Sequence, residues 1–254
     1  MREQAEAGCV PRLLTARLIL TVPEEADAEA LQAYAQRNEA AHRDWSPPPA
    51  PDALTLASAV RRIRDARRQF EAGSHMRFWL RWRHDPKGLF VGAITLSAIE
   101  LGAFRCARVG YSLDHACQGQ GLMTEALRAV VRHAFESLRL HRLEASVIPT
   151  NERSVRVLER MGFVVEGYAR KYLFINGQLR DHLLTSLSNP ELEDPERFRQ
   201  AGSGGARSSG PDQARARTGR PETSGCPEAS GCLETGSWAQ PADSPALDGT
   251  RRTQ

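Results

Sequence analysis

Apolar residues recur at strand-like and helical spacings along the first half of the chain. Residues 15–22 mix polar and apolar positions and predict a first strand. A helix is expected from an N-cap at Asp27 to about residue 37, and a second helix over residues 53–71 ends at Gly73. Three strand-like segments follow and predict an antiparallel meander: residues 77–83, 90–99 and 106–113.

The second half of this pattern begins with a glycine-bearing loop that runs into a helix over residues 122–138. Next come a strand over residues 142–148 and a short helix over 152–161, closed by Gly162. A last pair of strands, 168–175 and 178–186, is joined by Asn176-Gly177, a strong hairpin signal. The order β-α-α-β-β-β-α-β-α-β-β predicts an α+β fold.

Composition changes sharply after residue 188. Of the 16 aromatic residues only Phe198 and Trp238 lie beyond it, whereas nine of the 20 glycines and seven of the 15 prolines do. Such a segment buries too little apolar surface to offset the entropy of ordering it. We therefore predict a flexible N-terminus over residues 1–11, one domain over 12–188 and a disordered, low-complexity tail over 189–254.

Charge and cysteine usage exclude several classes of protein. The net charge of +3 permits an acidic or phosphate-bearing ligand but does not indicate a nucleic-acid binder. The five cysteines form no CxxC pair and no zinc-ligand spacing, so neither a disulfide framework nor a metal site is expected. No apolar run reaches membrane-spanning length and the N-terminus lacks signal-peptide order, which predicts a soluble, cytoplasmic protein with no membrane partner.

The segment Gln118-Gly-Gln-Gly-Leu-Met123, placed between a strand and a helix, is typical of a phosphate site. Glycines allow close backbone approach, and the unpaired N–H groups of a first helical turn favour anions. The loop lacks the Gly-Lys-Ser/Thr of a nucleotide triphosphatase, and Thr124 stands where a dinucleotide fingerprint has its third glycine. Taken alone, it could equally be a simple glycine turn.

Further motifs make the chain resemble the GNAT acetyltransferases, whose coenzyme A loop reads Gln/Arg-x-x-Gly-x-Gly/Ala. Gln118 and Gly121 match this pattern, and Met123 departs from it at the last place. Asn151 and Ser154 match the family's Asn-x-x-Ala/Ser element, and Gly162-Phe163 its Gly-Phe element. The resemblance extends over residues 12–188 and implies the GNAT fold, a central, mostly antiparallel mixed sheet flanked by helices.

Within that superfamily the sequence is similar to the RimJ/RimL branch, the ribosomal-protein N-terminal acetyltransferases, and to the RimJ type in particular. The segments that carry this likeness are Val109-Gly-Tyr-Ser, Leu140-His-Arg, Glu166-Gly-Tyr-Ala-Arg and Asn176-Gly-Gln-Leu-Arg-Asp-His-Leu-Leu. The resemblance implies acetyl-CoA as acetyl donor, with no metal. It also implies a set of donor-binding residues: Tyr111, Leu113, Gln118, Gly119, Gln120, Gly121, Leu122, Met123 and Asn151.

In that family the backbone N–H near Leu113 would polarise the thioester carbonyl, and Asn151 would anchor the pantetheine arm, although Asn151 also suits helix N-capping. Many relatives place a tyrosine acid seven residues after the asparagine, where this chain has Leu158. Ser154 is then the nearest hydroxyl to the leaving sulfur, unless it is a solvent-facing helical serine.

Glu166 matches a glutamate suspected of taking the proton of the acceptor amine, with Glu100 in reserve, although either carboxylate could be a simple surface charge. Trp45 and Arg180, with Tyr111, are candidates for lining the acceptor cleft, and each could instead be a packing residue or a solvated charge.

The expected reaction is acetyl transfer to the N-terminal α-amine of a ribosomal protein beginning with Ala or Ser. One alternative is a small-molecule acetyltransferase acting on a polyamine or aminoglycoside. The other is a ribosome-associated module in which Arg61, Arg64 and Arg68 meet ribosomal RNA or the assembling small subunit, although a solvated helix face explains the same arginines. The sequence leaves the oligomeric state open.

Overall fold

The alternating segments of the chain form one mixed sheet with helices on both faces in a computed structural model that describes residues 10–203. The strands of this part of the chain are β1 (Arg12–Leu14), β2 (Leu18–Thr21), β3 (Met76–Trp82), β4 (Gly92–Glu100), β5 (Cys106–Leu113), β6 (Arg142–Val147), β7 (Val164–Ile175) and β8 (Gln178–Ser188). The α-helices are α1 (Ala28–His42), α2 (Leu56–Glu71), α3 (Leu122–Arg132), α4 (Glu152–Arg160) and α5 (Pro195–Ser203).

The sheet order is β1-β2-β3-β4-β5-β6-β8-β7. Every neighbouring pair is antiparallel except β5 and β6, which run parallel. The predicted α+β architecture and the antiparallel meander of β3, β4 and β5 are therefore confirmed. The Asn176-Gly177 hairpin is also present, with positive φ at both residues, as a tight turn of this kind requires.

Two apolar cores lie on opposite faces of the sheet. On the α3/α4 face, Phe78, Ile94 and Val109 pack against helical residues such as Leu127 and Leu158. A smaller core on the α1/α2 face joins residues of α1 and α2 to the sheet: Leu31, Tyr34, Ile63, Trp79 and Phe90. Thr55 caps α2 by accepting a hydrogen bond from the Ser58 N–H at 3.1 Å, which sets the start of this helix.

The first predicted strand, residues 15–22, is wrong in its first half. The N–H of Thr15 donates to the carbonyl of Leu18 at 3.0 Å and closes a tight turn between β1 and β2. The turn contains neither glycine nor asparagine, so the sequence carries no local signal for it. The first strand of the final hairpin, β7, begins at Val164, four residues earlier than predicted.

The chain stays ordered beyond the predicted domain end at residue 188. Asn189 is buried and caps a short helical turn in which Leu192 is also buried, and α5 follows. Phe198 of α5 meets the ring of His141 with centroids 5.7 Å apart. The predicted start of the tail is thus too early, while residues 204–254, most of the predicted disordered segment, lie outside the described part, as do residues 1–9.

None of the helices in residues 10–203 is long and apolar enough to cross a membrane.

Candidate active site

The glycine loop lies between the end of β5 and the start of α3. The Asp114 carboxylate accepts a hydrogen bond from the Ala116 N–H at 3.0 Å and directs the chain into this loop. Gly119 and Gly121 have φ of +78° and +72°, a left-handed conformation that strains other residues. A Cβ at Gly119 would meet nothing within 4 Å, so the space above the loop is open.

Gly121 is the N-cap of α3, and the following N–H groups have no intrahelical partner. The side chains of Leu122 and Met123 are buried, so these two predicted binding residues can serve an anion only through their backbone N–H groups. The loop therefore has the open space, the unpaired donors and the positive helix end that a phosphate group requires.

Two arginines that the sequence analysis missed flank this loop. Arg17 donates from Nη1 to the Gln120 carbonyl at 3.0 Å, and its Nη2 lies 3.9 Å from where a Gly121 Cβ would be. Arg153 of α4 donates to the side-chain oxygen of Gln118. Arg17 lies in the turn that the pattern did not reveal, so only the three-dimensional structure brings its charge to the loop.

Glu125, in the first turn of α3, binds the turn between β1 and β2 that carries Arg17. Its carboxylate accepts hydrogen bonds from the Thr15 hydroxyl at 2.7 Å and from the Arg17 backbone and guanidinium at 2.8 and 2.7 Å. Burial opposes ionisation, but these hydrogen bonds outweigh it and lower the pKa of Glu125. The ionised Glu125 thus fixes Arg17 beside the loop.

A gap opens between β5 and β6, because their parallel pairing ends at Arg108 and Glu144. The N–H of Asp114 donates to the Val91 carbonyl on β4 at 2.8 Å. Since successive residues of a strand point their N–H groups to opposite edges, the N–H of Leu113 faces the gap. The Leu113 carbonyl is bonded to Nε2 of His42 at 2.9 Å, which places this α1 histidine, missed by the sequence analysis, beside the same strand end.

Tyr111 and Ser154 meet across the α3/α4 face. The Tyr111 hydroxyl lies 2.8 Å from the Ser154 hydroxyl and 3.2 Å from the Ser154 carbonyl. Burial raises the pKa of Tyr111 to about 12, with the hydrogen bond to Ser154 acting in the opposite direction. These two hydroxyls are therefore neutral, hydrogen-bonded proton donors at neutral pH.

Asn151 and Leu158 hold α4 in place. The Asn151 side-chain oxygen accepts from the Ser154 N–H at 3.2 Å, so Asn151 caps the helix, the structural alternative considered above. Leu158 lies in the main core. No titratable group therefore stands at the position where many relatives of the resembled family carry an acid.

Glu166 is engaged by Arg142 and Ser186. Arg142 donates to both carboxylate oxygens, one of them at 2.9 Å, and the Ser186 hydroxyl donates at 2.6 Å. The Arg142 hydrogen bonds first, and that of Ser186 next, lower the pKa of Glu166 to about 2. A carboxylate that binds protons so weakly is a poor base, so the environment of Glu166 does not favour the role expected from the sequence.

Glu100 lies far from the end of β5 at Leu113, beside which the glycine loop and the gap between β5 and β6 lie. It pairs with Cys106 at the start of β5, seven residues before Leu113, which corresponds to roughly 20 Å along the strand. Glu100 is therefore not brought to the strand end at Leu113. Glu166 lies toward the same far end, because its partner Arg142 pairs in register with Cys106, so neither predicted base lies beside Leu113.

On the α1/α2 face, the Tyr34 hydroxyl lies 3.0 Å from the Ser112 hydroxyl of β5. The loop after α1 reaches the β7–β8 hairpin, where the Asn176 amide donates to the Asp44 carboxylate at 2.8 Å. This contact places Trp45, which is partly exposed, beside the hairpin turn. Arg180, half-buried on β8, belongs to the same hairpin. The hairpin and the loop together border the α1/α2 face.

The arginine face of α2 is neutralised. Arg61 pairs with Asp52, Arg64 with Glu25 at 2.6 Å and Arg68 with Asp65, and all three side chains are exposed. Because each cation already has a carboxylate partner, the structure gives no support to the prediction of an RNA-binding helix face.

Comparison with known proteins identifies the fold and the chemistry. The family model of the acetyltransferase (GNAT) domain matches residues 17–164, more than half of the chain. The chain belongs to the GNAT acetyltransferases. It is 35% identical over 180 residues to the [ribosomal protein uS5]-alanine N-acetyltransferase of Escherichia coli, covering 71% of this chain and 92% of that protein.

Other relatives agree. A probable N-acetyltransferase of Bacillus subtilis, YjcK, is 38% identical over 67% of this chain and 93% of its own. The structure of Mycobacterium smegmatis RimJ in complex with CoA-disulfide superimposes with a TM-score of 0.66 and 29% identity, covering 77% of this chain and 94% of that one. The chain is therefore an N-acetyltransferase that uses acetyl-CoA, as the sequence resemblance predicted.

The geometry of this acetyltransferase fits that donor. The open glycine loop, the start of α3, Arg17 and Arg153 provide a cationic cradle of the kind a pyrophosphate needs. Among residues 10–203 no three His, Cys, Asp or Glu side chains are grouped so that they could hold a metal ion.

Proposed function

We propose that this acetyltransferase transfers the acetyl group of acetyl-CoA to the N-terminal α-amine of a ribosomal protein that begins with Ala or Ser. The observation that carries the proposal is the 35% identity to the uS5-alanine enzyme over 92% of that protein's length. The acceptor amine attacks directly, in a complex that holds donor and acceptor together.

On the donor side, the backbone of residues 118–123 binds the pyrophosphate, and Arg17 and Arg153 add positive charge. Acetyl-CoA supplies an acetyl group activated as a thioester. The N–H of Leu113 faces the gap between β5 and β6, where it can donate a hydrogen bond to the thioester carbonyl and stabilise the charge that develops on its oxygen. Asn151 shapes the gap by capping α4.

Tyr111 and Ser154 are the candidates for protonating the departing thiolate. Their hydroxyls are 2.8 Å apart, so a proton given up by one can be replaced from the other. A thiol of pKa about 8.5 is a tolerable leaving group without a strong acid, which is why a hydroxyl pair suffices where Leu158 cannot act.

The acceptor α-amine does not need a strong base, because part of it is already neutral at pH 7. An α-amine of pKa about 8 is roughly one-tenth neutral at pH 7, whereas a lysine of pKa about 10.4 is neutral in only about one molecule in 2,500. Glu166 is held by Arg142 at a pKa of about 2 and lies toward the Cys106 end of β5, away from Leu113, so water is the proton acceptor that best fits the site. This favours N-terminal amines over lysine side chains.

A small-molecule polyamine acceptor suits the site less well. Arg62 and Arg77 point their charges into the α1/α2 face, and neither forms an ion pair within the described part of the chain. A polycationic acceptor would be repelled by them. The site is therefore better matched to a peptide end than to spermidine or an aminoglycoside.

The test is a panel of peptides that differ in their first residue, offered with acetyl-CoA together with spermidine and an aminoglycoside. Peptides beginning with Ala or Ser should react fastest, and mass spectrometry should locate the acetyl group on the N-terminus. A faster reaction with either small amine than with every peptide would overturn the proposal.

A further inference from the structure

Among residues 10–203, several buried or half-buried arginines have a partner within the protein. Arg37 pairs with Asp114 at 2.6 Å. Arg81, 8% exposed, donates to Asp27 at 2.7 Å and to the Gly88 carbonyl at 2.8 Å. Arg105 donates to the Arg139 carbonyl at 2.6 Å. This is the ordinary arrangement, because a buried guanidinium without acceptors is strongly destabilising.

Arg77 and Arg62 are exceptions among residues 10–203. Nε of Arg77 is buried and has no hydrogen-bond partner, and Cζ of its guanidinium lies 5.4 Å from the centroid of the Trp79 ring. Arg62 of α2 likewise forms no ion pair there. Burial first, and then the charge of Arg62, lower the pKa of Arg77 to about 10, so both side chains still carry charge at neutral pH.

The two cations lie on the α1/α2 face of the sheet, opposite the face on which Tyr111 and Ser154 meet. Arg77 pairs in register with Thr95, and Thr95 pairs with Gly110 of β5, so all three point to the α1/α2 face. A Cβ on Gly110 would meet nothing within 4 Å, which leaves open space beside the gap between β5 and β6. Two strand spacings, about 10 Å, separate Arg77 from Gly110.

We propose that Arg77 and Arg62 form a carboxylate-binding subsite for the acceptor, which recognises an acidic side chain within the first four residues of the peptide. The span of about 10 Å equals about three extended residues, so an amine at the gap brings this part of the peptide to the arginines. Arginine binds carboxylates through paired hydrogen bonds, and here it would gain the partner that the protein itself does not provide. This inference rests on the proposed function and specifies its acceptor.

The test uses peptides with an N-terminal alanine and a single Glu or Gln at position two, three or four. At one of these positions the Glu peptide should have a KM about tenfold lower than its Gln twin, as expected for a charge-assisted hydrogen bond. Equal KM values for all Glu and Gln pairs would overturn the subsite but leave the N-terminal activity intact. If no peptide were acetylated, the proposed function itself would fail.

Variants assign the preference to these side chains. Arg77→Gln and Arg62→Gln should each reduce the Glu-over-Gln ratio towards one, while Arg77→Lys should retain part of it. Arg61→Gln is the matched control, because Arg61 is the neighbouring α2 arginine and already pairs with Asp52. A ratio that survives in both Arg77→Gln and Arg62→Gln would place the acidic contact elsewhere and refute the assignment.

A thermal measurement separates a binding role from a structural one. If Arg77 serves a ligand, removal of its unpaired charge in Arg77→Met should leave the melting temperature unchanged or raise it. A lower melting temperature in Arg77→Met, together with an unaltered Glu-over-Gln ratio, would identify Arg77 as a packing residue. A free amino acid that reacts faster than every peptide would assign the carboxylate to a small acceptor and contradict the peptide subsite.

Discussion

The two sides of the gap between β5 and β6 differ in whether backbone groups or side chains are available to bind a ligand. On the proposed donor side the binding groups are backbone N–H groups at the start of α3, presented by glycines with positive φ. On the proposed acceptor side they are the side chains of Arg62 and Arg77, which come from two separate elements. A site made of backbone groups is formed by a few residues that are neighbours in the sequence. A site made of side chains is formed by residues that are far apart in the sequence and that have no partner within the protein.

The change expected to weaken the donor side most is Gly121→Asp, which places a negative charge at the N-cap of α3 in a left-handed conformation that aspartate can adopt. Repulsion of a phosphate should weaken coenzyme A binding by up to about a thousandfold, since unit charges 4 Å apart interact by about 4 kcal/mol near a protein surface. Isothermal titration calorimetry measures the affinity of each protein for coenzyme A.

Gly121→Asn is the matched control for this charge, because asparagine has the same shape and tolerates the left-handed conformation. The asparagine variant should retain most of the affinity. Equal losses in the two variants would show that conformation, and not charge, governs the loop.

The second largest effect concerns the hydroxyl pair. Tyr111→Phe and Ser154→Ala should each lower kcat about tenfold, a modest share of what a general acid supplies, because the thiolate leaves readily. The double variant should be no slower than the worse single one, since the two hydroxyls act as a unit. Steady-state kinetics with an alanine peptide gives all four values, and additive losses would show that the hydroxyls act separately.

How far the sequence predicts the molecule follows the same division between backbone and side chains. The helical periodicity of α2 and α3, the Asn176-Gly177 turn and the glycine loop are local patterns, and all are present, although α2 begins three residues later than predicted and α3 changes to a π-helical turn after Arg132. The turn at Ala16 and Arg17 has no local signal and was missed. The meeting of Tyr111 with Ser154, the pairing of Glu166 with Arg142 and the isolation of Arg77 are contacts between elements, which spacing along the chain cannot show.

A third prediction tests the helical segment after β8. A chain ended after Asn189 should melt about 3–10 °C below a chain ended after Ser203, because it loses the burial of Leu192, worth about 1.5–3 kcal/mol. Leu192→Ala in the chain ended at Ser203 should reproduce much of the difference. Identical melting temperatures for the two truncated chains would show that this segment does not stabilise the domain.

The smallest effect is expected at Glu166, which is exposed although its pKa is about 2. Its folded pKa lies below the ordinary value of 4.5, so the ion pair with Arg142 stabilises the fold above about pH 4.5 and is lost as the pH falls towards 2. The melting temperature of Glu166→Gln should therefore differ from that of the unmodified protein slightly at pH 7 and converge with it near pH 2.

Because Glu166 stays ionised from pH 6 to 9, the variant should also keep the shape of the pH–rate profile, whose rise follows the neutral fraction of the acceptor amine. If the loss in rate were instead largest at pH 6 and vanished above pH 8, Glu166 would be the base after all, and its ion pair with Arg142 would have to open when the acceptor binds.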